Sequence, residues 1–119
     1  MGGLAAPAIV GGGAGKAMTS AEDYAKIDPW RGAVMVSRVL AYERKFEAAE
    51  ARLRPLVPAD AEQRELLALG FLRIAGAHRR AGDVPKALAM IDKTLAISGT
   101  GPVADSARRQ RDALLKPKS

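Results

Sequence analysis

The chain has 119 residues, a formal net charge of +6 and an apolar content of 48%, enough for one domain and short for two. Its 12 arginines and 7 lysines outweigh 13 acids, a balance that favours anionic partners: acidic peptides, nucleic acid or a membrane surface. The absence of cysteine excludes disulfides and thiolate chemistry, and with aromatics at only 4% the many small residues suit close helix packing better than packed strands.

The N-terminal MGGLAAPAIV has no Lys or Arg ahead of its apolar run, as a secretory signal would. Ala6 stands where a myristoylation site requires Ser or Thr. No stretch is apolar over the roughly 18 residues that a membrane span needs. A cytoplasmic protein with no membrane contact is the expectation. Residues 1–18, rich in glycine and without apolar periodicity, read as a flexible tail, with the helical domain over 19–115. GGGAGKA invites comparison with a phosphate-binding loop. However, the first glycine of that pattern falls on Val10, and Lys16 is followed by Ala17 rather than a hydroxyl residue, so no nucleotide site is expected.

Ser20 with Asp23 can cap a short helical turn reaching Ile27. Asp28-Pro29 is a stronger start, because Asp accepts orphan amide hydrogen bonds and Pro tolerates the first helical position. It opens a helix over about 29–43. A second helix follows over about 46–57, with Pro55 distorting its last turn. Val57-Pro58-Ala59-Asp60 ends it, and Asp60 with Gln63 caps a third helix over 61–80. Gly82 closes that helix, Asp83 caps a fourth over 84–97, and Gly99 ends the fourth. Pro102 opens a fifth helix over 102–115, whose narrow apolar stripe of Val103, Ala107 and Leu114 suits a terminal cap. Residues 116–119 are expected to fray. The predicted core is Leu40, Leu53, Leu66, Leu67, Phe71, Ile74, Leu88, Ile91 and Leu95, at about 1.5–3 kcal/mol per fully buried side chain before entropy is subtracted.

Around the Gly82-Asp83 break the spacing is Phe71-x2-Ile74-Ala75-x2-His78, then Ala87-x3-Ile91. Large and small apolar residues fall at helical intervals, as in two helices folded against each other. The pattern resembles the tetratricopeptide repeat, whose signature runs W-x2-L-G-x2-Y, then A-x3-F, within about 34 residues. Phe71, Ile74, Ala75, His78 and Ile91 stand for the Trp, Leu, Gly, Tyr and Phe, and Ala87 matches outright. Ala33, Val36, Ser37 and Leu40, with Ala49-x3-Leu53, form a degenerate earlier copy. The resemblance implies an all-α fold: two antiparallel helical hairpins of a short solenoid plus a C-terminal capping helix.

The resemblance also implies a function. In this family the first helix of each hairpin lines a concave groove that binds protein segments. That places Arg31, Val34, Met35, Arg38, Ala41 and Tyr42 there from the first hairpin, and Leu69, Leu72, Arg73, Gly76, Arg79 and Arg80 from the second. Arginine suits forked recognition of carboxylates, so an acidic segment or C-terminal carboxylate of another protein is the expected partner. Small bacterial members of the family include chaperones that shield an aggregation-prone helix. The second reading is a nucleic-acid-binding module using Arg108, Arg109, Arg111, Lys116 and Lys118, although no aromatic for base stacking lies in that segment. Self-association through the uncapped first hairpin is a third possibility. Catalysis is not expected. His78 is the only histidine, it stands at a packing position, and no second His or Cys could complete a metal site. No cofactor is expected.

Overall fold

A computed structural model describes the backbone of residues 2–116 and the side chains of residues 15–116. Six helices follow one another: α1 (Gly2–Ile27), α2 (Pro29–Tyr42), α3 (Phe46–Leu53), α4 (Ala61–Arg80), α5 (Val84–Ile97) and α6 (Pro102–Leu115). No strand occurs among the described residues, and the fold is all-α. The flexible tail expected over 1–18 departs from the structure: the backbone of residues 2–18 is helical and continuous with the expected turn at 20–27, in one helix ending at Ile27. The fraying expected at 116–119 falls, beyond Lys116, outside the described residues.

The helix starts are set by the aspartates. Asp28 Oδ1 accepts the Arg31 N–H at 3.0 Å, Asp60 Oδ1 that of Gln63 at 2.8 Å, and Asp83 Oδ1 that of Lys86 at 3.2 Å. Gln63 reciprocates, its Oε1 accepting the Ala59 N–H at 2.8 Å. α6 starts differently. Gly101 offers no side chain, and Glu65 reaches across from α4 instead. Its Oε2 accepts the Val103 N–H at 3.1 Å and its Oε1 accepts the Ser98 hydroxyl at 3.0 Å.

Two helix ends share one geometry. After α4, Gly82 takes φ of 83°, with the Gly82 N–H donating to the Arg79 carbonyl and the Asp83 N–H to that of His78. After α2, the same two bonds run from Arg44 to Ala41 and from Lys45 to Leu40, with Arg44 at φ of 64°. Arg44 thus occupies a left-handed position that costs a non-glycine residue about 1–2 kcal/mol. Arg44→Gly is expected to raise the melting temperature, by up to about 1 kcal/mol of stability once glycine's greater unfolded-state freedom is subtracted. An unchanged or lower midpoint in a thermal scan would contradict that strain. α3 is shorter than expected and stops at Leu53 rather than 57. Pro55 has no N–H to extend the ladder, and the Leu56 N–H turns back to the Leu53 carbonyl at 3.1 Å.

α4 lies at the centre and packs against α2, α3, α5 and α6, whereas among the described residues α1 packs against α2 alone. Leu40, Leu53, Leu67, Phe71, Ile74 and Ile91 are buried in the common core, and Leu88 and Leu95 are partly buried against it. Leu66 departs from the expectation: it is half-buried and faces an open groove. Small residues allow the close approaches. Ala49 and Ala87 are fully buried, and the buried Ser37 hydroxyl donates to the Ala49 carbonyl at 2.8 Å, joining α2 to α3. Ala87→Leu therefore has no space to fill. It is expected to cost about 1–3 kcal/mol, and a melting temperature equal to that of the parent would refute the close packing. No helix among the described residues is long and apolar enough to cross a membrane.

Candidate functional site

A wide groove among the described residues follows from how α1 is attached. Gly32, in the first turn of α2, lies so close to α1 that a Cβ placed there would stand 2.3 Å from the Ala25 Cα. α1 is thereby pinned to α2 and, among the described residues, does not pack against α4, so a groove of about 830 Å³ opens between them. Its walls are Ala17, Ser20, Ala21 and Tyr24 of α1, Arg31, Val34, Met35, Arg38, Val39 and Tyr42 of α2, and Leu66 and Arg73 of α4. A second cavity of about 440 Å³ continues it past Arg38, Tyr42 and Arg73, which line both. There the lining is Ala41 of α2, Leu69, Leu72, Gly76, Arg79 and Arg80 of α4, and Ser106 and Gln110 of α6.

Every residue that the resemblance places in the groove lines one or other part of this surface. Val34 and Leu72 are buried and form its floor, Met35 and Tyr42 are exposed along it, and Gly76 leaves room for the Arg80 guanidinium to lie against α4. The α1 wall is not among the expected groove residues: Ala17 falls in the expected tail, and Ser20, Ala21 and Tyr24 fall in a turn given no part in the groove. A usable signal was present: Ala17, Ala21 and Tyr24 recur at helical spacing on one face. Ser106 and Gln110 of α6 also line the groove, although the sequence reading gives that helix only a capping or a nucleic-acid-binding role.

Neither cavity is lined by an Asp or a Glu. Arg31 is engaged already, pairing with Glu62 at 2.6 Å and Asp28 at 3.5 Å, and the Glu62 hydrogen bond holds its guanidinium above the ordinary value. Arg38, Arg73, Arg79 and Arg80 have no carboxylate within 4 Å among the described residues. Burial lowers the Arg73 pKa from its ordinary value, and the like charge of Arg38 lowers it further. The site is a cationic strip over an apolar floor.

The competing basic segment is less concentrated. Arg108 donates to the Gly99 carbonyl and lies 3.6 Å from Asp105. Arg109, Arg111 and Lys116 are exposed, with Asp112 among them. Lys118 lies outside the described residues.

On the opposite side, His78 is buried with 6% of its surface exposed and stacks on Phe46, ring centroids 4.1 Å apart. Its Nδ1 has no hydrogen-bond partner. Burial pushes the imidazole below its usual 6.5, Asp83 offsetting part of this and Lys86 adding to it. With the folded-state pKa depressed, the unfolded chain takes up its proton first. Stability from this group is complete above about 6.5 and falls as pH drops below it, by at most about 1.4 kcal/mol per pH unit, until the folded form also protonates. Denaturant titrations across that range should show the loss, and His78→Phe should remove it. An identical slope in the variant would assign the effect elsewhere. Glu50 accepts from Lys93 of α5 and from Arg54 at 3.4 Å, and the Lys93 bond lowers its pKa. Among the described residues, no three His, Cys, Asp or Glu are grouped to hold a metal.

Fold and site together define an all-α protein with a basic, apolar-floored groove. No family model, curated protein or solved structure matches the chain.

Proposed function

We propose that the chain is a tetratricopeptide-like protein-interaction module, an adaptor or chaperone rather than an enzyme, acting in the cytoplasm. Its groove holds an acidic segment, or the C-terminal carboxylate, of another protein. The observation that carries this reading is the pairing of four arginines that lack carboxylate partners among the described residues with an apolar floor from Val34, Met35, Leu69 and Leu72. Guanidinium groups offer forked donors to carboxylates, and the floor supplies contacts that charge alone cannot. The two hairpins support the repeat assignment: Arg44 and Gly82, like Ala49 and Ala87, are separated by the same 38 residues and occupy equivalent turn and buried positions.

A selection of displayed random peptides on the immobilised chain tests the proposal. The expected result is enrichment of peptides with clustered Asp and Glu beside aliphatic residues, and its disappearance on the Arg73→Ala/Arg80→Ala variant. Failure to enrich, or enrichment unchanged on that variant, would refute it. Selective binding of oligonucleotides that is lost in Arg108→Ala/Arg109→Ala/Arg111→Ala would establish the nucleic-acid reading instead.

A further inference from the structure

The free charge in the groove is unevenly placed. The larger part, between α1, α2 and α4, owes its only unengaged cations to Arg38 and Arg73 at its end. The smaller part gathers those two with Arg79 and Arg80, and its far wall offers the neutral hydrogen-bonding side chains of Ser106 and Gln110. We infer that this end is a subsite for a doubly charged phosphate ester, so that the segment bound is a phosphorylated peptide with aliphatic residues seated beside Met35 and Leu66. The inference rests on the groove reading above and sharpens it.

Three features favour a dianion over a single carboxylate. Four guanidinium groups around about 440 Å³, with no acid in the lining, exceed what one carboxylate can neutralise. Arg38 and Arg73 repel one another, and Arg73 is half-buried, so an anion with charge near −2 and three acceptor oxygens relieves more of that repulsion than one with charge −1. Forked donors from separate arginines can each take different phosphate oxygens while Ser106 and Gln110 complete the shell. A nucleic-acid strand, which spreads one charge per residue, would call for cations along the whole groove. Here the unpaired ones among the described residues are concentrated at one end, and the remainder is mainly apolar, its one further cation, Arg31, being paired with Glu62 and Asp28.

The test uses three synthetic peptides of one sequence, with two leucines followed by phosphoserine, by glutamate or by serine at the same place, and a 5′-phosphorylated oligonucleotide. Titration calorimetry against the full chain is expected to rank phosphoserine above glutamate by about tenfold or more, and glutamate above serine. Arg38→Gln/Arg73→Gln should erase the phosphoserine advantage, Arg73→Lys should reduce it because charge remains while the fork is lost, and Arg108→Gln/Arg109→Gln should leave it intact. These are surface or half-buried positions, and unchanged circular dichroism would confirm folding. Equal affinity for phosphoserine and glutamate peptides would overturn the phosphate subsite while leaving the acidic-peptide groove standing. Binding to no peptide would overturn both, and tighter binding of the oligonucleotide would overturn the phosphopeptide in favour of nucleic acid.

Discussion

Gly32→Val is expected to loosen α1 from the rest of the molecule. The added carbon would meet the Ala25 Cα at 2.3 Å and the Ala25 nitrogen at 2.9 Å, and backbone atoms cannot rotate aside. Among the described residues α1 packs against α2 and against no other helix, so no second described contact compensates when that one is forced apart. The cost is expected at about 1–3 kcal/mol or more, together with faster proteolysis within 15–27 and loss of the wall formed by Ala17, Ser20, Ala21 and Tyr24. Gly76→Ala provides the contrast. A Cβ there meets only the Arg80 guanidinium at 3.6 Å, an ordinary contact with a movable group. Replacing a helix-interior glycine should then stabilise by roughly 0.5–1 kcal/mol. Equal melting temperatures for the two variants would contradict the tight α1–α2 seam.

Removing two groove arginines should act on binding and not on folding. Arg73 and Arg80 bond no carboxylate among the described residues, and deleting Arg73 also relieves its repulsion with Arg38. Arg73→Ala/Arg80→Ala is therefore expected to keep its helicity and melting temperature. A charge-assisted contact is worth about 1.5–3 kcal/mol when desolvated and under about 1 kcal/mol when exposed. Half-buried Arg73 should account for most of the loss and exposed Arg80 for less, giving a combined weakening on the order of tenfold to several hundredfold for an acidic peptide. A variant that bound as tightly as the parent would remove these side chains from the site, and one that melted early would show that they serve the fold.

What was legible in the sequence was chemistry local to a few residues. Asp28, Asp60 and Asp83 announce helix starts because a short carboxylate beside orphan amides has few other uses, and α2, α4, α5 and α6 fall close to the expected limits. The groove residues on α2 and α4 come from the resemblance to the repeat, which puts the first helix of each hairpin on one surface, and each of them lines one of the two cavities. What escaped depended on distance in space. Arg44 carries no sign that it will adopt the left-handed turn that Gly82 adopts openly, because the demand comes from packing α2 on α3. Glu65 caps a helix that begins 37 positions later, a partnership that no local pattern records. Of the α1 wall, the glycine-rich composition upstream hides Ala17, which falls before the expected domain boundary, while Ser20, Ala21 and Tyr24 fall in the expected turn at 20–27 and carry no local sign that it packs beside α2.

The central claim, that the strip between α1, α2 and α4 is where a partner sits, is open to direct mapping. Amide and arginine side-chain resonances of the isotope-labelled chain, followed while an acidic, leucine-containing peptide is added, should move at 17–24, 34–42 and 69–80, with Arg38 and Arg73 shifting most. Shifts confined to 108–116, or none at saturating peptide, would contradict it.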